Sequence, residues 1–220
     1  MNYNRFLFFV FVAIGFTSCV EKDKGKDKLE IVENTEITKL PYFNSAIFTP
    51  EWEKGTHKIP KFTFTNQKGE EVTNKTFEGK IYITDFFFTI CPGICPKLTK
   101  NMSMLQDEYQ EDSNIKLLSH SVMPWNDTVD KLAVYAEQNE VNLPKWHLVT
   151  GDTNAIYDIA RNGYFADEDF VKTQDEADFI HTENFILVDK NGYIRGVYNG
   201  TLALEVKRLM RHIKILKKEL

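Results

Sequence analysis

The chain carries only three cysteines in 220 residues, too few for a scaffold held together by disulfides. The apolar run Leu7 to Ile14 falls well short of the roughly 20 residues needed to span a bilayer as a helix. Lysine and arginine number 27 against 32 aspartates and glutamates, a net charge of −5, and no basic block tracks a phosphate backbone, so no nucleic-acid partner is expected. Seven prolines and eleven glycines without a repeat exclude collagen-like and low-complexity classes. What remains is 42% hydrophobic and 13% aromatic content, enough for one ordinary core in a single domain.

Arg5, the apolar run and the small-residue end Gly15-Phe16-Thr17-Ser18-Cys19 have the layout of a secretory signal. The segment resembles a bacterial lipoprotein signal, which implies that Cys19 becomes the lipidated first residue. Glu21 to Lys28 alternates in charge and is poor in apolar residues, the composition of a solvated tether. The expected organisation is a signal over 1–18, a lipidated tether over 19–45 and a folded domain over 46–220. That domain would be exported, anchored to a bacterial membrane and facing the periplasm. A close cysteine pair in such an oxidising compartment is a disulfide, a redox couple or a metal site.

Hydrophobic patterning predicts a hairpin over Phe62 to Thr73 and a strand over Ile81 to Phe88, whose β-branched and aromatic run suits burial on both faces. A helix over Lys97 to Gln110 and a strand over Ile115 to Val122 complete a parallel βαβ unit. Val129 to Gln138 reads as a helix opened by Asn126 or Asp127, Trp146 to Thr150 as a strand, and Asn154 to Ala160 as a short helix. Phe185 to Val188 and Tyr193 to Tyr198 form a hairpin about Asp189-Lys190-Asn191-Gly192, which is a turn and not a calcium loop. Thr201 opens a last helix with Leu204, Leu209 and Ile213 facing inward. This order is that of an α/β, thioredoxin-like fold with an added N-terminal β-hairpin.

Cys91-Pro92-Gly93-Ile94-Cys95-Pro96 lies where the buried strand ends and a helix begins. Unpaired amides at a helix start stabilise a thiolate. Residues four apart in a helical turn have Cα atoms about 6 Å apart, close enough for a disulfide or for two sulfurs on one metal ion. A structural zinc site wants four ligands, and no second close cysteine or histidine pair exists. Two thiolates with one imidazole suit copper instead.

Together, Lys58 to Phe62, Phe77-Glu78-Gly79-Lys80, Phe86 to Pro96, Ser121 to Thr128, and His181 ahead of Phe185 to Gly192 resemble the Sco family over about residues 58 to 215. The resemblance implies copper, as Cu(I) or Cu(II), held by Cys91, Cys95 and His181. It also implies a role in assembling the binuclear copper centre of cytochrome c oxidase. The expected partner is a copper-containing oxidase subunit or another periplasmic copper protein. Where the family usually has aspartates, this chain has Met123 and Gly93.

Of the other histidines, His120 and His147 lie in predicted strands as structural residues, His212 is expected to be exposed, and His57 is chemically able to bind metal. His181 differs by following the polar stretch Asp167 to Asp178 and standing just before a strand. A second functional class shares the cysteines: a thiol-disulfide oxidoreductase in which one of them attacks and the other resolves. For that chemistry Asp85 is a candidate proton-exchanging acid, six residues ahead of Cys91, the offset at which thioredoxins keep a buried aspartate. The alternative is that Asp85 reaches solvent or a neighbouring hydroxyl.

Overall fold

The computed structural model describes residues 37–53, 55–167, 180 and 182–219. Its centre is β3 (Ile81–Phe87), buried at every position. This strand lies between β4 (Ile115–Ser121), parallel to it, and β6 (Asn184–Val188), antiparallel to it. β5 (Trp146–Thr150) continues the parallel pairing beyond β4, and β7 (Ile194–Asn199) forms the antiparallel edge beyond β6. The hairpin of β1 (Thr63–Asn66) and β2 (Glu71–Thr73) joins through β1 against β5. The seven-strand order is therefore β2-β1-β5-β4-β3-β6-β7. This is the expected thioredoxin-like arrangement with its added hairpin.

Because side chains alternate across a strand, each central strand feeds two cores. Ile81, Ile83 and Phe87 pack beneath α1 (Cys95–Glu108) and α4 (Ala203–Lys218), with Leu98, Met102 and Leu209. Tyr82 and Phe86 point the other way, toward Phe62, Phe64 and Ile156, the last from α3 (Thr153–Asp158). α2 (Val129–Gln138) adds Leu132 to the first core.

Helix boundaries show where local patterning misleads. α2 is capped by Thr128, whose hydroxyl accepts from the Lys131 N–H, and not by Asn126 or Asp127. α4 starts after Leu202 without a side-chain cap, while the Thr201 hydroxyl donates to Asn199. Leu204 is 73% exposed: the buried stripe is Val206, Leu209, Ile213 and Leu216, and a residue two positions before Val206 falls on the opposite side of the helix. α3 passes into one wider turn in which the Tyr164 N–H reaches the Ile159 carbonyl.

A buried guanidinium ties the ends of this body together. Arg195 on β7 donates to the Leu40 and Pro41 carbonyls at 2.6 and 3.0 Å, and to Glu219 and Asp189 at 2.6 and 3.2 Å. Glu219 in turn accepts from the Leu40 N–H, and the Tyr42 ring stacks on the guanidinium. Filling a buried charge with this many partners offsets its desolvation.

Candidate metal centre

β3 ends at Phe87, whose carbonyl accepts from the Val122 N–H at 2.9 Å. The chain then leaves the sheet, turns at Cys91, whose N–H reaches the Phe88 carbonyl, and enters α1 at Cys95. Pro96 suits this first turn, where an N–H would have no helical partner. Ile94 precedes the helix and offers no capping side chain. The backbone N–H groups of Cys95, Gly93 and Ile94 lie near the Cys91 sulfur and favour its thiolate.

Both thiols are free, but their environments differ. Partial burial alone would raise the Cys91 thiol; the backbone donors and a hydrogen bond from Cys95 outweigh it and bring the thiol below its ordinary range. Cys95, inside the first core, is pushed up to about 12, chiefly by burial and further by the charge on Cys91. Cys91 is thus the thiol that ionises first and is open to a partner. An apolar cavity of about 320 Å³ adjoins both sulfurs, backed by Phe86, Phe88 and Val122. Ile180 and Thr182 also line it.

Asp85 points into the first core, 2% exposed, and accepts from the Ser119 hydroxyl at 2.5 Å. Trp146 Nε1 donates to the same hydroxyl. Burial, only partly offset by the Ser119 hydrogen bond, raises the Asp85 carboxyl to about 7. The acid is therefore buried and also meets a neighbouring hydroxyl.

His120 stacks on Phe86 at 5.0 Å, bonds Thr84 through Nδ1, and is held down to about 3 by burial. His147 is likewise held down to about 4 by burial. Both are structural, as expected. His212 is half-buried and bonded to the Tyr198 hydroxyl, in contrast to its predicted exposure, because Ile213 beside it belongs to the buried stripe of α4. His57 donates to the Gly163 carbonyl at 2.7 Å. Met123 is half-buried in the turn after β4. Among the described residues no group of three histidine, cysteine or acidic side chains is arranged to hold a metal. Cys19 and His181 lie outside the described residues.

The SCO1/SenC family profile matches residues 51–217. The chain belongs to the SCO1/SenC family. A Bacillus subtilis SCO1 homolog is 32% identical over 146 residues, covering 66% of this chain and 75% of that protein. The crystal structure of a SCO1/SenC family lipoprotein from Bacillus anthracis superposes with a TM-score of 0.62 at 28% identity, covering 73% and 95% of the two chains. Arabidopsis thaliana ScoI, crystallised with copper bound, gives 0.54 at 25% identity over 73% and 96%. The Sco family consists of cytochrome c oxidase assembly proteins.

Sequence reasoning missed how Asp127 is used. The adjacent Asp127-Thr128 pair offers two capping residues to one helix start, and the surplus acid was a sign that one of them serves elsewhere.

Proposed function

We propose that this chain is a membrane-tethered copper metallochaperone that holds one copper ion through Cys91, Cys95 and His181. It passes the ion to a copper-containing oxidase subunit during assembly of the binuclear copper centre. The observation that carries this reading is the pair of free thiols at the start of α1, where nearby backbone N–H groups favour the Cys91 thiolate. Two soft sulfurs four residues apart suit copper, and the described residues on either side of His181 in sequence, Ile180 and Thr182, line the cavity beside them. Cysteine ligands bind deprotonated, so loading releases the proton that Cys95 otherwise keeps, and affinity falls in acid. Half-buried Cys91 is the sulfur a partner can reach, while buried Cys95 keeps the cargo until exchange is complete.

Anaerobic titration with Cu(I) and Cu(II) tests the ligand set. Replacing His181 with alanine is expected to weaken Cu(II) binding and alter the sulfur-to-copper absorption; unchanged binding and absorption remove His181 from the set. The proposed organisation is the signal over 1–18, the Cys19-linked tether over 19–45 and the Sco domain over 46–220, and the lipoprotein relative supports it. Cys19→Ser is expected to move the protein from the membrane fraction to the soluble one with copper affinity unchanged. Persistent membrane association of that variant rules out the anchor.

The unequal thiols favour one second reading, reduction of a partner disulfide. The Cys91 thiolate attacks one partner sulfur, and the other leaves as a thiolate. Cys95 then loses its proton and attacks Cys91, releasing the first partner sulfur and leaving a Cys91–Cys95 disulfide. The partner gains the two electrons that the pair loses. In this reading Asp85 is the nearby buried acid that takes the Cys95 proton, consistent with its negative charge raising the Cys95 thiol.

A further inference from the structure

Asp127 is fully buried, and the ion pairs among the described residues do not include it. A lone carboxylate in such a place costs several kcal/mol unless donors fill its lone pairs. Here four donors do so. Oδ1 accepts from the Thr89 hydroxyl at 2.6 Å and from Asn126 Nδ2 at 2.7 Å. Oδ2 accepts from the Ser121 hydroxyl at 2.6 Å and from the Thr89 N–H at 3.0 Å. None of these bonds serves the start of α2, which Thr128 caps.

The position of the donors gives the cluster a purpose. The paired register of β3 and β4 ends at Phe87 and Ser121, and the Val122 N–H to the Phe87 carbonyl is the last backbone bond between them. Beyond that point Thr89 is held to the turn after β4 through Asp127, by both its backbone and its side chain. The turn itself is tied, since the Ser121 hydroxyl that donates to Asp127 also accepts from the Met123 N–H. Cys91 follows two residues after Thr89, and its N–H closes a turn on the Phe88 carbonyl, so the place of Thr89 sets where the chain turns toward the start of α1.

We propose that Asp127 is a positioning residue for the Cys91 sulfur. It extends the hold of the sheet by two residues and sets the path by which Cys91 reaches the helix start. The inference deepens the reading of Cys91 and Cys95 as the working pair, but it requires no bound metal.

The test uses the full chain and the variants Asp127→Asn, Ser121→Ala and Thr89→Val. Each is equilibrated with a glutathione couple to obtain the equilibrium constant of the Cys91–Cys95 disulfide, and its urea midpoint is measured in both redox forms. A residue that only supported the fold would destabilise the oxidised and reduced forms alike and leave that constant unmoved. Positioning predicts a change of about tenfold for Asp127→Asn, at the low end of the effect of residues that orient ligands. Smaller changes in the same direction are expected for Ser121→Ala and Thr89→Val, each of which removes one donor. An unchanged constant in folded Asp127→Asn overturns the proposal; if that variant does not fold, an unchanged constant in Ser121→Ala does so. Absence of copper binding by the wild-type chain would defeat the chaperone reading and leave this measurement intact. Normal copper binding with unmoved constants would defeat the role of Asp127 alone.

Discussion

The start of α1 and the box around His120 share a wall. Phe86 lines the cavity beside the two cysteines and stacks on His120 behind it. Both regions hold side chains that bind metals well in isolation, yet their surroundings differ. At the helix start the backbone supplies donors to a half-exposed sulfur and lowers the Cys91 thiol. In the box, aromatic rings surround an imidazole whose Nε2 has no hydrogen-bond partner among the described residues, and burial keeps it from taking a proton. Ligand chemistry is therefore decided by access and by polar partners, and the identity of the side chain is secondary.

The largest effect expected from this contrast is on metal binding. Cys95→Ser should lower Cu(I) affinity by more than the roughly 100-fold upper range for groups that merely orient ligands. His120→Ala should leave copper affinity unchanged while costing about 2–4 kcal/mol of stability through the cavity it opens, measured by urea unfolding. A folded His120→Ala protein that fails to bind copper would reverse the assignment of the two regions.

A smaller effect concerns acid. Below about pH 6.5 the unfolded chain protonates His120 and His147, whereas the folded protein refuses those protons until about pH 3 and 4, so stability falls as pH drops through that window. Asp85 acts in the opposite sense. Between about pH 7 and 4 the folded protein keeps a proton that the unfolded chain gives up, so this group adds stability as pH falls. Two groups oppose one, and net loss in acid is expected. Asp85→Asn removes the opposing contribution, so its urea midpoint should drop more steeply from pH 7 to 4 than that of the wild type. The same variant tests Asp85 in disulfide exchange: slowed exchange with copper binding retained supports the proton-transfer role, and unchanged rates across neutral pH remove it.

How much of this was legible in the sequence depends on whether a feature was local. β3 was readable because seven consecutive buried residues, most of them β-branched or aromatic, leave little alternative, and the cysteine motif followed directly from its end. β5 matched its predicted span for the same reason, and α2 matched because its buried Leu132 and Ala136 stand at helical spacing. The cap at Thr128 and the exposure of Leu204 were misread because both depend on helix phase, which a shift of one or two residues changes. The surroundings of Asp85 were unreadable in principle, since Ser119 and Trp146 come from two other strands and meet it only through sheet register. Asp127 joins segments 38 positions apart, and the surplus capping residue beside Thr128 hinted at a use elsewhere without marking Thr89 as the partner.

The Arg195 cluster has a mechanical consequence. Leu40 and Pro41 lie close to the first described residue, and their carbonyls end on one guanidinium. Any pull arriving from that side is shared among Arg195, Asp189 on the β6–β7 turn and Glu219 at the far end of α4. The load therefore enters the β6–β7 hairpin and the last helix first, and reaches β3 only through the pairing of β6 and the shared core. A force applied at Leu40 and Pro41 is in this way spread over three side chains before it can reach the geometry of the sulfurs.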